Sequence, residues 1–283
     1  MNALAAHPSA SAAAEIRSLD PLIPNVARMA NYLLGGRDNF AADRDACEDL
    51  LKAAPWMRQV ACDSRAFQVR AVSHIVAELG ISQFIDFGCG LPAQDNVHQI
   101  AQRGNPTARV VYVDNDAVVG VHGRALLART ATTEMVVHDV RDVDVLLNDE
   151  KLRGLISWDR PIAVVMTWVM DYIREPGPII DALWRGLPPD SVVAFSHLAI
   201  DGLETAEAEG VVQVYDEADA KMQARSASEI LALFGGTWEW QEPGFGPVQD
   251  WKPIPGAPPR EETRASCVGG VAIPLGRQRQ GTE

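Results

Sequence analysis

The 283-residue chain has little positive charge, and it contains no long apolar run. Its 25 Lys and Arg residues are outnumbered by 38 Asp and Glu, for a formal net charge of −13. A broad basic surface for nucleic acid or acidic membranes is therefore not expected. No apolar run approaches the roughly 20 residues that span a bilayer. Residues 1–20 lack the basic start and apolar core of a signal peptide, so we expect a cytoplasmic location without nucleic-acid or membrane partners.

Cysteines are few, and their spacing does not match a metal site. Cys47, Cys62, Cys89 and Cys267 include no CxxC pair. Without a secretion signal, such cysteines are typical of reduced thiols in a cytoplasm. We therefore expect no structural zinc and no catalytic metal.

The composition, 47% hydrophobic and 22% charged, is typical of a globular protein. The Ala- and Ser-rich start has few large apolar side chains to bury, which predicts disorder. Residues 21–40 are then rich in Asn, Gly and Arg, and a helix is predicted over 63–79. We divide the chain into a disordered leader (1–20), an N-terminal helical cap (21–80), a main domain (81–275) and a tail (276–283).

Apolar runs alternate with helical stretches through most of the main domain. Runs without polar alternation are typical of strands covered on both faces. The alternation predicts an α/β fold with a doubly wound, mostly parallel sheet and right-handed crossovers. The predicted strands are 83–87, 108–113, 135–137, 162–169 and 192–195, and the helices between them are about 95–103, 117–129, 142–148 and 178–185.

Beyond residue 200 this alternation stops. The acidic stretch 201–220 predicts an inserted helix or lid. Segments 237–240 and 266–273 predict two more strands, separated by a long proline-rich excursion. A short-loop hairpin is therefore not expected there.

Two glycines directly follow the first predicted strand. Gly88 and Gly90 let the chain turn tightly and let a ligand approach the backbone. Their spacing also fits a loose dinucleotide fingerprint. Asp86, however, places a carboxylate in the bend, Pro92 removes an N–H that a pyrophosphate would use, and Asp95 adds negative charge at the helix start. These residues favour a cationic ligand over a dinucleotide.

Acidic residues also end the next two predicted strands. Ligands of open parallel sheets bind beyond the carboxyl ends of the strands. Asp114 is placed to accept two hydrogen bonds from a ribose diol, and Asp139, beside the backbone of Val140, can accept from the amine of an adenine. With Asp86, these residues describe a site for a nucleoside with a cationic amino-acid tail. S-adenosylmethionine has that chemistry.

Candidate substrate residues follow the fourth and fifth predicted strands. His197 is expected to face the crevice, where an imidazole suits proton transfer near neutral pH. The alternative is a histidine that is hydrogen-bonded into the packing. Asp171 and Tyr172 are candidates for substrate handling, with a loop acid and a core-edge aromatic as the alternatives. Trp168 is a candidate for an apolar pocket wall, although core packing is commoner for such residues.

The N-terminal cap is the candidate lid that excludes water from the site. Gly36, in the pair Gly35-Gly36, would give it mobility. Arg28 and Arg37 are candidates to pair with the cofactor carboxylate or the substrate. Tyr32 lies in the same block.

Several blocks of the chain resemble the class I S-adenosylmethionine-dependent methyltransferases, and more narrowly an S-adenosyl methyltransferase subfamily of largely unknown substrate. The resemblance covers roughly residues 21–275. It implies a Rossmann-like, seven-stranded sheet whose last strand is antiparallel, with the cofactor across the first three strand ends. The blocks are NVAR (25–28), YLLGGRDNF (32–40), DFGCGLP (86–92), NVH (96–98), VYVDND (111–116) and SH (196–197).

The expected reaction is methyl transfer to a small-molecule acceptor by in-line displacement, with S-adenosylhomocysteine as product. A homodimer is a further expectation. The chain departs from the subfamily after the fourth strand, where Met170-Asp171-Tyr172 replaces the usual Leu-His-Phe, and Met29-Ala30-Asn31-Tyr32 stands where Tyr-Asp-Tyr is common. The predicted cofactor contacts are Asp86, Gly88, Cys89, Gly90, Asn96, Asp114, Asn115, Asp139, Val140 and Thr167.

Two alternatives stay open at this point. The first is an NAD(P)-dependent oxidoreductase that uses the same glycine loop. The second is a protein that binds S-adenosylmethionine without transferring its methyl group, for which Asp171 in place of histidine is the argument.

Overall fold

The computed structural model describes residues 20–256 and 265–276. The predicted disordered leader, up to residue 19, and the predicted tail, from residue 277, lie outside the described residues. The strands are β1 (Gln83–Phe87), β2 (Arg109–Asp114), β3 (Thr133–Val137), β4 (Ala163–Thr167), β5 (Val192–Ala199), β6 (Trp238–Trp240), β7 (Gly246–Pro247) and β8 (Ser266–Pro274).

Helices precede the sheet and alternate with its strands. Short 3₁₀ turns lie at Val140–Asp142, Met170–Tyr172 and Val248–Asp250. The α-helices are α1 (Val26–Leu33), α2 (Ala41–Ala53), α3 (Met57–Ala77), α4 (Val97–Gly104), α5 (Ala117–Leu126), α6 (Val143–Leu146), α7 (Glu150–Leu155), α8 (Gly177–Gly186), α9 (Thr205–Asp216) and α10 (Ala227–Ala232).

The strands form one sheet in the order β3-β2-β1-β4-β5-β8-β6, with β7 paired to β8. Strands β1 to β5 pair in parallel, and β8 is antiparallel to β5. The doubly wound, mostly parallel sheet with an antiparallel last strand is confirmed. The two-residue β7 is the one addition to the seven predicted strands, and it is too short to leave a pattern in the sequence.

Apolar cores cover both faces of the sheet, because neighbouring residues of a strand point to opposite faces. Phe84 and Tyr112 belong to the core beneath the N-terminal helices, whereas Ile85 and Val113 belong to the core on the other face. This explains the absence of polar alternation in the strands.

Strand β5 is longer than the predicted 192–195. It continues through Ser196 and His197 to Ala199, because β8 pairs with it from Val193 to Ala199. The two strands lie so close that a Cβ on Gly269 would be 1.9 Å from the carbonyl oxygen of Phe195. His197 therefore lies within a paired strand and not just beyond its end.

Some predicted helix bounds also differ from the structure. The helix predicted at 63–79 begins earlier, at Met57. The helix predicted at 142–148 is the single turn α6, and the acidic stretch 201–220 contains α9. Within residues 20–256 and 265–276, no helix has the length and apolar character needed to cross a bilayer.

Candidate functional site

A cavity of about 770 Å³ lies over the carboxyl ends of β1, β2, β3 and β4. The loops that follow these strands form its floor. Residues of α1, the Gly35-Gly36 loop, α3 and the segment 219–223 complete the wall. Its volume falls within the roughly 300–1,000 Å³ that is usual for small-molecule sites.

The glycine loop after β1 is shaped by close packing. Gly88 and Gly90 both have positive φ, 61° and 63°. A Cβ on Gly88 would lie 2.3 Å from Cγ2 of Val169, so the glycine lets the loops after β1 and β4 meet. At Gly90 nothing lies within 4 Å of the Cβ position, which leaves space for a ligand beside the backbone. Cys89 donates its N–H to the carbonyl of Val113 at 3.1 Å and also lines the cavity.

Asp114, at the end of β2, is held by backbone donors. Its Oδ2 accepts from the N–H of Gly90 at 2.9 Å, and its Oδ1 accepts from the N–H of Asp116 at 3.0 Å. Burial raises its pKa to about 6, although these two hydrogen bonds oppose the shift. Each carboxylate oxygen keeps a further lone pair, so the group can still accept from a diol in the cavity.

Asp86 lies behind the cavity wall and is 3% exposed. Burial raises its pKa to about 7, the nearby charge of Arg65 opposes the shift, and that of Asp114 adds to it. The sequence predicted direct contact with a cationic ligand. In the structure its side chain is enclosed, and it interacts electrostatically with Arg65 and Asp114, which line the cavity.

The loop after β3 forms the opposite end of the cavity. Asp139 is half-buried and is engaged by Arg141, whose Nε lies 2.9 and 3.0 Å from its two oxygens. Burial raises the pKa of Asp139, but the hydrogen bonds from Arg141 outweigh this effect and lower it. Asn115 is 3.5 Å away, through its Nδ2, and Val140 lines the same wall.

Trp168 follows β4 in a strained conformation. Its φ of 56° is uncommon for a non-glycine residue and costs about 1–3 kcal/mol. Its N–H donates to the carbonyl of Ser196 at 3.1 Å, while its indole Nε1 is buried without a partner in the described part of the chain. Trp168 and Thr167 line the cavity at the end of β4.

His197 and Asp171 lie beneath the cavity, and both side chains are fully buried. The Nδ1 of His197 is 2.7 Å from the carbonyl of Leu198 and 3.2 Å from Oδ1 of Asp171. Its Nε2 is 2.9 Å from Nη1 of Arg225, and because a guanidinium only donates, Nε2 must accept. Both ring nitrogens are therefore engaged within the protein, and the expectation that the imidazole faces the crevice is wrong.

Asp171 also has a packing role in this arrangement. Its Oδ1 accepts from the N–H of Leu198 at 2.8 Å, and its main-chain carbonyl accepts from Gln223 at 2.7 Å. Burial raises its pKa, and the hydrogen bond from the N–H of Leu198 acts in the opposite direction. Arg225 completes the network by donating to the carbonyls of Met170 at 3.1 Å, Ile173 at 2.5 Å and Arg174 at 3.0 Å.

Tyr172, by contrast, does line the cavity. Its ring centroid lies 5.7 Å from that of Tyr215. Burial, with the neighbouring Tyr215 and Asp171, raises its pKa well above the ordinary value. The hydroxyl is therefore a hydrogen-bonding group and remains protonated at neutral pH.

The N-terminal cap is tied to the sheet by Asn25, at the start of α1. Its Nδ2 donates to Asp116 at 2.5 Å and to Asp219 at 2.6 Å. Asp219 also accepts from the N–H of Val26 at 2.9 Å. These contacts join the ends of β2, α1 and the 219–223 segment into one wall.

The arginines and glycines of the cap differ from expectation. Arg28 is buried and paired with Asp43 at 2.7 Å, so it does not reach a cofactor. Arg37 is exposed to solvent, away from the cavity lining. A Cβ on Gly36 would clash with the side chain of Asn31, whose Oδ1 accepts from the N–H of Asp38 at 3.0 Å. The Gly35-Gly36 loop is thus held in place by Asn31.

Two further predicted residues support the site from outside the cavity. The side-chain amide of Asn96 accepts from the backbone N–H of Ala93 at 3.0 Å and donates to the carbonyl of Ala93 at 2.7 Å. Tyr32 lies under the guanidinium of Arg58, at 5.5 Å from the ring centroid. Both act on the conformation of the surrounding loops.

The structure therefore divides the predicted site residues into two groups. Those brought together around the cavity are Gly36, Gly88, Cys89, Gly90, Asp114, Asn115, Asp139, Val140, Thr167, Trp168 and Tyr172. Those outside its lining are Arg28, Tyr32, Arg37, Asp86, Asn96, Asp171 and His197.

Sequence analysis missed several polar side chains in the cavity wall. Asn25 lay in one of the matched blocks, and Asp116 lay in another, so both had a signal that could have been used. Arg65, on α3, and Asp219, beyond α9, are far from any strand end in the sequence. They reach the cavity through tertiary packing alone.

The order of the sheet, its antiparallel last strand and a cavity over the ends of β1 to β4 define the class of Rossmann-like methyltransferases. The chain belongs to the S-adenosyl methyltransferase family, whose model matches residues 12–274. No curated protein matches the chain.

Solved structures agree with this assignment. A candidate methyltransferase from Thermobifida fusca YX is 34% identical, with a TM-score of 0.83 over 90% of this chain and 97% of that one. A DUF574-family protein from Streptomyces avermitilis MA-4680 is 30% identical, with a TM-score of 0.82 over 89% and 98%. The plantazolicin methyltransferase BamL, crystallised with S-adenosylhomocysteine, is 10% identical with a TM-score of 0.53 over 88% and 95%, and it shares the fold.

The protein is thus an S-adenosylmethionine-dependent methyltransferase. The oxidoreductase alternative and the alternative of cofactor binding without methyl transfer are not supported. The site also fits this cofactor on its own geometry, because Asp114 presents acceptors for a ribose and the space beside Gly90 is open.

Proposed function

We propose that the protein methylates a small-molecule acceptor within the 770 Å³ cavity. The observation that carries this proposal is the continuity of the cavity. A single space joins the ends of β1 to β3 to the wall formed by Trp168, Val169 and Tyr172 after β4. Donor and acceptor sites in one enclosed space suit a direct transfer between two small molecules.

We place the cofactor along the row of strand ends. Asp114 accepts from the ribose hydroxyls, and the Gly88–Gly90 backbone lies beside the amino-acid tail. Asn115 and Val140 flank the adenine, with Asp139, held by Arg141, at its edge. Cys89 and Thr167 complete this part of the wall. The support for this placement is that these groups line one continuous stretch of the cavity.

Asp86 has an indirect part in this placement. Its enclosed carboxylate lies near the start of the glycine loop, and its negative charge favours a cationic ligand there. Direct contact is not required for this effect, because a charge acts over several ångströms in a low-dielectric surrounding.

The chemistry that S-adenosylmethionine supplies when bound is a methyl group on a positively charged sulfur. In-line displacement needs the acceptor atom about 3–3.5 Å from that methyl group. Trp168, Val169 and Tyr172 form the wall that can hold an acceptor, and the Tyr172 hydroxyl can hydrogen-bond to it. Asn25 and Asp219 keep the cap closed over the cavity and so exclude water.

Trp168 and Tyr172 give the acceptor site aromatic walls, and Arg174 and Asp219 lie near Tyr172 in the same lining. Trp168 and Tyr172 favour an apolar or aromatic acceptor with a polar group at the reacting end. His197 and Asp171 act by positioning the chain between β4 and the cavity. The homodimer and the cytoplasmic location remain predictions.

The proposal is tested with isotope-labelled methyl donor and a small-molecule extract as the source of acceptors. We expect label in compounds that pass a small-pore filter, with matching formation of S-adenosylhomocysteine, for the wild-type protein. Asp114→Ala should lose both signals. Asp45→Ala, an exposed acid on α2, is the matched control and should retain them.

Two results would overturn the proposal. Label found solely in the retained protein or nucleic-acid fraction would exclude a small-molecule acceptor. Equal turnover by Asp114→Ala and the wild type would exclude the cofactor placement.

A further inference from the structure

Arg65 is a positively charged side chain in the cavity wall, beside the glycine loop. Its Nη2 donates to the carbonyls of Gln94 at 2.9 Å and Asp95 at 3.0 Å, and its Nη1 donates to the side-chain oxygen of Gln68. All three acceptors are neutral groups. Its Nε is buried and has no hydrogen-bond partner in the described part of the chain.

A guanidinium in this setting is incompletely compensated. Burial lowers the pKa of Arg65, and the nearby charge of Asp86 opposes the shift. A desolvated cation whose bonded partners are neutral is costly unless an anion is supplied. The anion that best matches the planar fork of an arginine is a carboxylate.

The position of Arg65 indicates which carboxylate that is. With the ribose at Asp114 and the adenine near Asp139, the amino-acid tail of the cofactor lies at the end of β1, where Arg65 contacts the loop. Other cations in the wall lie elsewhere. Arg141 is bound to Asp139, and Lys221 is exposed and 3.3 Å from Asp216. Arg174 is exposed and lies in the segment after β4, next to Ile173.

We infer that Arg65 binds the carboxylate of the cofactor's amino-acid tail. This inference rests on the cofactor placement proposed above. It assigns a cofactor contact to the N-terminal helical cap, on a helix that precedes the glycine loop in the sequence. The cap would then recognise the donor as well as cover it.

Calorimetric binding of three adenosyl ligands tests the inference without any acceptor. S-adenosylhomocysteine carries both the ammonium and the carboxylate, its decarboxylated analogue S-adenosyl-3-thiopropylamine carries the ammonium alone, and 5′-methylthioadenosine carries neither. For Arg65→Gln we expect a loss of about 10- to 100-fold in affinity for S-adenosylhomocysteine, as for a lost hydrogen bond between charged groups. Affinities for the other two ligands should stay within about threefold.

Arg70→Gln is the matched control. Arg70 lies on the same helix and donates to the carbonyls of Val248 and Trp251, much as Arg65 does to its loop, but it does not line the cavity. Its substitution should leave all three affinities unchanged. Arg65→Lys keeps the charge without the planar fork and should give a smaller loss that is again confined to S-adenosylhomocysteine.

The pattern over the three ligands separates the outcomes. An equal loss for all three in the Arg65 variants would mean that Arg65 braces the loop, and this would overturn the inference. No loss for any ligand would overturn it as well. If Arg65→Gln does not fold, Arg65→Lys decides by the same criterion. A wild-type protein that binds none of the ligands would instead refute the cofactor placement.

Discussion

The two halves of the sheet's carboxyl edge differ in what their polar side chains bind. At the ends of β1, β2 and β3, Asp114 is held by loop N–H groups and faces the cavity. At the ends of β4 and β5, His197 and Asp171 are held by each other, by Leu198 and by Arg225, and they are fully buried. A polar residue near a strand end is therefore a ligand candidate when the strand stops there. It is a packing group when a neighbouring strand continues past it.

The largest expected effect concerns the glycine where the two halves meet. Gly88→Ala should lower the free energy of unfolding by about 2–5 kcal/mol, since overpacking against the stiff Val169 side chain adds to the strain of a positive φ. Gly90→Ala, with a similar φ and open space around it, should cost about 1–2 kcal/mol. Urea unfolding without ligand measures both. Equal losses would show that Val169 moves aside freely.

A large effect on cofactor binding is expected for a substitution at the ends of β1 to β3. Asp114→Ala removes an acceptor for two ribose hydroxyls, so the affinity for S-adenosylhomocysteine should fall by about 100-fold. Calorimetry measures this, with Asp45→Ala on the exposed face of α2 as the control. Retained affinity would mean that the acids at the ends of β2 and β3 have been misassigned.

The matching substitution at the ends of β4 and β5 should lower the stability of the fold. His197→Phe fills similar space but leaves Arg225 and Asp171 without their partner, so the free energy of unfolding should fall by about 2–3 kcal/mol. Affinity for S-adenosylhomocysteine should stay within about threefold. A variant of normal stability and affinity that fails to transfer methyl groups would restore a catalytic role and remove the contrast between the halves.

The smallest expected effect is a dependence on pH. The pKa values of Asp114 and Asp86, about 6 and about 7, exceed the ordinary value near 3.9, so the folded chain holds protons that the unfolded chain has lost. The free energy of unfolding without ligand should therefore fall as the pH rises from about 4 to 7. A ligand that pairs with the ionised carboxylates should bind about tenfold more tightly at about pH 8 than at about pH 6.

The same titrations in Asp114→Asn provide the control for this dependence. Losing one of the two titrating carboxylates should flatten both curves. An affinity that falls as the pH rises would contradict ionised carboxylates in the ligand-bound state.

The sequence by itself determined the sheet and the part of the candidate site at the ends of β1 and β2. Buried parallel strands appear in the sequence as continuous apolar runs. Because such strands place their carboxyl ends at one edge of the sheet, Gly88, Gly90 and Asp114 could be located from local patterns alone. The bounds of β1 were predicted to the residue, and those of β2 to β4 to within two residues.

Tertiary structure alone decided the rest. His197 lies within β5 because β8, almost 70 residues later, pairs with that strand as far as Ala199, and no local pattern predicts that pairing. Arg28 forms an ion pair with Asp43. Arg65 and Asp219 reach the cavity from a helix and a loop whose positions in the sequence are not related to those of the strand ends. Periodicity records which face of an element is buried. The partner that each polar side chain finds depends on which distant segments pack together.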